Sequence, residues 1–179
     1  MTRIYTVGHS TRVLEEFLGL LQEFEIRLLA DVRSFPSSRK YPWFTQEPLK
    51  QALKGKGIEY RWFRGLGGLR RGQLADSPHA GLRSPGFRNY ADHMATVEFQ
   101  QAVAELIQAA EDSLTAYMCA EALYWRCHRM LLSDYLAVHG LQVVHILGPG
   151  QTRPHSLTKG LQVEASRLIY GASTPPLFR

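Results

Sequence analysis

Apolar and polar positions along this chain fall into short blocks whose period switches back and forth. Arg3–Val7, Arg27–Val32, Ile58–Phe63, Leu114–Met118 and Gln142–Leu147 are brief apolar-rich runs flanked by Gly, Asp or Ser, the signature of buried strands. Between them apolar residues recur at helical spacing. Val13–Glu25 places Val13, Phe17, Leu20, Leu21 and Phe24 on one face, and Thr96–Ala110 does the same with Val97, Val103, Leu106 and Ile107. Gln46–Lys54 tolerates Pro48 in its first turn, and Met130–His139 is stopped by Gly140. Weaker helical patterns cover Phe87–Ala95 and Val163–Tyr170. Ser10 or Thr11, and Thr45, are the expected N-caps. The alternation predicts one α/β domain over residues 1–179: a mostly parallel five-stranded sheet with helices on both faces, Rossmann-like and three-layered. Gly148–Thr158 reads as a connection, residues 64–89 as a flexible loop insertion over the site, and 171–179 as a loose tail.

Sheets of this kind bind ligands at the carboxyl ends of their strands, and the chemistry-bearing residues collect there. His9 and Ser10 follow the first strand, and Asp31 and Arg33 end the second. The fourth strand runs into Cys119, Glu121, Cys127, His128 and Arg129, just before the next helix. A helix N-terminus stabilises anions, and with Arg126 and Arg129 it would lower a nearby thiol pKa. Cys119 and Cys127 are therefore candidates for nucleophile, redox pair or metal ligand. His9, His128, Asp31 and Glu121 are candidate acids and bases, and Ser10, Arg33, Arg39 and Arg129 candidate anion contacts. The plainer alternatives are a packed thiol, a capping histidine and a solvated ion pair. His145, inside an apolar strand, reads as a core histidine. The loop Ser34–Phe44 interleaves Arg39 and Lys40 with Phe35, Tyr41, Trp43 and Phe44, suited either to nucleobase stacking or to anchoring the loop.

Composition narrows the picture modestly. A net charge of +5 favours an anionic small molecule or nucleic acid as partner. No run approaches the length of a membrane span or a secretion signal, so a cytoplasmic setting with reduced cysteines is expected. Arg64–Gly72 is rich in glycine but lacks the lysine and hydroxyl of a phosphate-binding loop.

Thr6-Val-Gly-His-Ser10, Asp31-Val-Arg33 with Pro36 and Arg39, Leu66-Gly-Gly68, and Cys119-Ala-Glu121 ending in Cys127-His-Arg129 together resemble the bacterial "domain of unknown function 488" family. That pattern has a proline where this chain has Tyr124. The resemblance implies that His9, Ser10, Asp31, Arg33, Cys119, Glu121, Cys127, His128 and Arg129 form one functional cluster, and it implies no settled reaction. The leading expectation is an enzyme, a hydrolase or transferase, acting on a phosphate-bearing substrate such as a nucleotide or nucleic acid, with no cofactor required. The alternatives are a non-catalytic nucleic-acid-binding module and a Cys/His metal-binding protein, the latter weakened by the lack of paired ligand spacing.

Overall fold

A computed structural model describes residues 1–72 and 74–171. The tail expected at 171–179 lies, apart from Gly171, outside the described residues. Six strands form one sheet in the order β3-β2-β4-β1-β5-β6: β1 (Arg3–Gly8), β2 (Leu28–Asp31), β3 (Glu59–Trp62), β4 (Thr115–Cys119), β5 (Gln142–Gly148) and β6 (Gln151–Pro154). The first five pair in parallel, and β6 returns antiparallel along β5.

The sheet is buried on both faces, which is why its central strands read as apolar runs rather than as alternating ones. On one face Tyr5, Val7, Leu29, Ala116, Met118, Val144 and Ile146 meet helices α1 (Leu14–Glu23) and α2 (Gln46–Lys54), through Phe17, Leu20, Leu21, Leu49 and Leu53. On the other face Ile4, Leu28, Ala30, Tyr117 and Val143 meet α3 (Pro85–His93), α4 (Val97–Asp112) and α5 (Arg129–Val138), through Tyr90, Phe99, Val103, Leu106, Leu131, Leu132 and Leu136. The split follows from the period-2 alternation of strand side chains.

Three expectations need correction. The sheet has six strands rather than five, because Gln151–Pro154 in the expected connection forms β6. The expected last helix, Val163–Tyr170, is instead a hairpin of β7 (Leu161–Glu164) and β8 (Arg167–Tyr170), turning through Ala165 and Ser166 with φ of 45° and 69°. That turn breaks the helical register, and Leu168 and Tyr170 then alternate inward as strand residues. The helix at 14–23 begins after Val13 with no side-chain cap, so neither Ser10 nor Thr11 serves there, and Thr45 flanks α2 without a side-chain cap bond. In the segment 64–89, Arg64–Leu66 forms a short 3₁₀ turn, and Leu66, His79 and Leu82 are buried. Among the described residues no helix is long and apolar enough to cross a membrane.

Candidate active site

The chain leaves β1 toward α1 on one face and β4 toward α5 on the other. Neighbouring strands whose exits diverge open a crevice between them, and these two are neighbours. Backbone bonds stitch the strand ends together there: His9 N donates to the Cys119 carbonyl, Ser10 N to the Ala120 carbonyl, and Val32 N to the Met118 carbonyl. Gly8 is required at this join, because a Cβ would overlap the Glu121 carbonyl. The Gly-His-Ser, Asp-Val-Arg and cysteine segments therefore meet at one edge.

Two groups of side chains stand at that edge. In the first, fully buried Asp31 holds the Arg33 guanidinium in a fork, with Nη2 to Oδ2 at 2.6 Å and Nε to Oδ1 at 2.9 Å, and also accepts the Tyr60 hydroxyl at 2.7 Å. Burial opposes the Arg33 charge, but the Asp31 hydrogen bonds outweigh it and raise the guanidinium pKa further. His9 lies against Arg33 Nη1 at 3.4 Å and stacks on Phe44 at 4.2 Å. Burial first, and Arg33 next among the groups that lower it, bring His9 down to about 4, although its bond to the Ser10 carbonyl pulls the other way.

In the second group, Cys119, Cys127 and His128 place their ligand-type atoms within 4.8 Å of one another. His128 Nε2 is 2.9 Å from the Val32 carbonyl, which can only accept, so Nε2 carries the hydrogen. The Nδ1 lone pair therefore faces both sulfurs, at 3.6 Å from Cys127 and 3.9 Å from Cys119. Gly68 backs directly on this ring, where a Cβ would overlap Nδ1. The Gly67–Gly68 pair is thus a close-approach point for Ser34 and His128 rather than a phosphate loop.

Arg129 explains the charge of this group. It is 1 % exposed, and its fork donates to Thr6 Oγ1 at 2.8 Å and to the Glu121 and Ala122 carbonyls. Among the described residues no carboxylate lies within ion-pair distance of it. A buried guanidinium needs a counter-charge, and the group beside it is the Cys127 thiol. Burial by itself would raise that thiol. The neighbouring Cys119 thiol, the Arg129 charge and the Arg129 N–H at 3.4 Å reverse this and bring Cys127 down to about 6. Cys119 moves in the opposite sense: the adjacent Cys127 sulfur and burial push it up to about 12. Of the two, Cys127 is the sulfur that this arrangement favours as the thiolate.

The thiols border a cleft of about 440 Å³, whose lining includes Arg33, Phe35, Gly68, Leu69, Phe87, Arg126 and His128. Phe35 and Arg126 are exposed there. A second recess of about 310 Å³ on the other side of residues 120–122 includes His9, Ser10, Lys40 and Glu121. A cavity of about 490 Å³ lies between α3, α5 and the β7–β8 turn, but none of the candidate residues lines it. We place the site at the thiols because the perturbed groups face that cleft.

The candidate residues thus fall into distinct settings. Cys119, Cys127 and His128 border the cleft with Arg33. His9, Ser10 and Glu121 border the recess. Asp31 and Arg129 are buried: the Asp31 carboxylate is bonded inside the protein, and Arg129 bonds through its two Nη groups while its Nε has no partner among the described residues. Arg39 is exposed on the loop at residues 34–44. That loop is part anchor and part free surface: Phe44 is buried and Trp43 Nε1 bonds the Arg12 carbonyl, while Phe35 is 68 % exposed. Sequence reasoning did not single out Phe35, Leu69, Phe87 or Arg126 as cleft residues. For Arg126 the signal was its place in the loop one residue before Cys127.

An α/β domain with paired thiols at the switch point of its sheet is the class this geometry defines. A family model described as "Domain of unknown function DUF488" matches residues 13–136, more than half of the chain, and the chain belongs to that family. The matched span contains Asp31 through Arg129 but not Gly8–Ser10. No curated protein and no solved structure matches the chain.

Acid sensitivity follows from the buried histidines. His9 is held near 4 and His145 near 3, each chiefly by burial, against an ordinary 6.5. Between the folded and unfolded values the unfolded chain binds more protons, so stability falls as pH drops from about 6.5 toward 4. Thermal unfolding followed by circular dichroism will show Tm declining through this window, with a shallower decline in His9→Gln.

Proposed function

We propose that the protein is an enzyme, a hydrolase or transferase, in which the Cys127 thiolate attacks a phosphate-bearing small molecule such as a nucleotide. One observation carries this reading: a thiol held down to about 6 by the neighbouring Cys119, by Arg129 and by its own helix N-terminus borders a cleft large enough for such a ligand. Arg126 stands at the cleft as the cation without a protein partner among the described residues, so we assign it the phosphate. Phe35, Leu69 and Phe87 offer apolar surface for the rest of the substrate. Arg33 and Arg129 act indirectly, the first by fixing Asp31 and facing His9, the second by stabilising the thiolate. In the chemical step the Cys127 sulfur bonds phosphorus and the P–O bond to the leaving group breaks, its oxygen taking a proton from water. A second water, or an acceptor hydroxyl, then releases the phosphoryl group from sulfur. Intact-mass analysis after acid quenching of the protein with nucleoside phosphates tests this. A phosphoryl-sized adduct that disappears in Cys127→Ser supports the reading, and turnover that survives Cys127→Ser overturns it.

A second reading rests on the same cluster. Two sulfurs and an imidazole Nδ1 whose other nitrogen is fixed by a carbonyl form a three-ligand set suited to zinc, with the cleft side left for water or substrate. Metal content of freshly purified protein separates the two. One zinc per chain, with both cysteines shielded from alkylation, would favour the metal site over the free thiolate.

A further inference from the structure

A separate chain of buried polar groups runs under the loop that joins the two cysteines. Asp134 on α5 is fully buried, and its carboxylate accepts the Tyr170 hydroxyl and the Thr158 N–H, each at 2.9 Å. It also accepts from His155 Nε2 at 2.9 Å. His145 Nε2 lies 2.9 Å from His155 Nδ1, and one hydrogen bridges the two rings there. The carboxylate thus orients both rings in sequence. His145 is 1 % exposed and ends the chain as a neutral ring with a fixed plane. On that plane lies Tyr124, its ring 3.4 Å from the His145 ring and inclined by only 2°.

Tyr124 opens the short 3₁₀ turn Tyr124–Arg126, which carries Trp125 and Arg126 and leads directly to Cys127. Arg129, which opens α5 beyond the turn, also grips the Glu121 and Ala122 carbonyls ahead of it. Between these anchors the loop's own internal bonds are few: Arg126 N and Cys127 N bond back to residues 123 and 124, and Leu123 N bonds Glu121 Oε1 at 3.4 Å. The stack is therefore the main side-chain tie over residues 123–126.

We propose that Tyr124, His145, His155 and Asp134 form a positioning relay that seats the loop between the cysteines, with Tyr124 as the residue that locks it and Arg126 and Cys127 as the groups it positions. None of the four touches the cleft. The relay acts through the loop, and its claim stands whether Cys127 works as a nucleophile or as a metal ligand. A neutral ring presents its plane as an aromatic platform, and the hydrogen-bonded histidine in front of Asp134 prevents that plane from rotating.

Trp125, 41 % exposed and packed edge-on against Tyr124 at 5.0 Å, reports the seat directly. The test uses the full chain labelled with 5-fluorotryptophan, its Trp125 fluorine signal assigned by loss in Trp125→Phe. The rate of Cys127 carbamidomethylation is measured alongside. Tyr124→Phe keeps the stacking face and should match the parent in both readouts. Tyr124→Leu should shift and narrow the Trp125 signal and speed alkylation of Cys127 about 3- to 10-fold, the range that a stacking contact of this type converts to. His155→Leu, which frees the His145 ring and removes the edge-on contact that His155 itself makes with Tyr124 at 6.0 Å, should move the Trp125 signal in the same direction. An unchanged Trp125 signal in Tyr124→Leu, or in folded His155→Leu, overturns the relay. Should His155→Leu fail to fold by circular dichroism, the contrast between Tyr124→Leu and Tyr124→Phe decides the seat by itself. A shifted fluorine signal with unaltered alkylation would overturn the relay's claim on Cys127 and leave it acting on Trp125 and Arg126 alone.

Discussion

Arg129→Met will slow alkylation of Cys127 at pH 7 about ten-fold, the change expected when a thiol that is mostly ionised at neutral pH becomes mostly protonated. The guanidinium is buried, has no carboxylate partner among the described residues, and is a leading cause of the low Cys127 value near 6. Methionine keeps most of the volume and removes the charge. It also removes donors from Thr6 and from the Glu121 and Ala122 carbonyls, so a loss of about 3–5 kcal/mol in folding stability is expected. Arg129→Lys keeps the charge without the fork, and should retain a lowered thiol while losing part of the stability. The pH dependence of stability carries the same signature. Cys127 is depressed from 9 to about 6, so over that window the unfolded chain binds the extra proton and stability rises with pH. Cys119 is raised from 9 to about 12, so above 9 the sign reverses and stability falls. Urea unfolding between pH 6 and 9 will show the rise in the parent and its loss in Arg129→Met.

Gly68→Ala will damage the site from the other side. The added methyl would overlap the His128 ring, and the ring has no free direction in which to yield, because its Nε2 is held by the Val32 carbonyl and its edge meets Tyr90 at 5.0 Å between centroids. Overpacking of this kind costs about 1–3 kcal/mol. It also turns Nδ1 away from the sulfurs, so Cys127 alkylation will change as well. Gly19→Ala is the matched control: nothing lies within 4 Å of a Cβ there, and the position is an exposed helical one. Removing a helical glycine should stabilise by about 0.5–1 kcal/mol. Differential scanning of the two variants against the parent measures both signs at once.

Much of this architecture was legible in the sequence, and the reasons are local. The four inner parallel strands β1, β2, β4 and β5 are short apolar runs because both sheet faces are covered there, and the first three of these end at Gly8, Asp31 and Cys119, where the candidate chemistry begins. The strands that escaped notice are the ones with little core to bury. Gln151–Pro154 is exposed throughout, and the β7–β8 hairpin turns through Ala165–Ser166 rather than through an Asn-Gly or Gly-Gly pair. Within the site, the nearness of Cys119, Cys127 and His128 follows from a strand end and a helix start meeting across one loop. The separate environments of the arginines do not follow from spacing. Arg33, Arg126 and Arg129 look alike in the sequence, yet the first is clamped by Asp31, the second faces the cleft and the third lies beneath the loop. The His145–His155–Asp134 chain joins three separate elements, and only the folded register of β5 and β6 brings the histidines together.

The central claim is that the Arg129-supported Cys127 carries the thiolate and Cys119 the proton. The pH profile of carbamidomethylation in the native protein, resolved for each cysteine by peptide mass mapping, tests it most directly. The predicted result is a Cys127 rate that reaches half its maximum near pH 6, with Cys119 unreactive up to the most alkaline pH at which the protein stays folded. Two cysteines titrating together near the ordinary thiol value of 9, or Cys119 reacting first, would contradict the account.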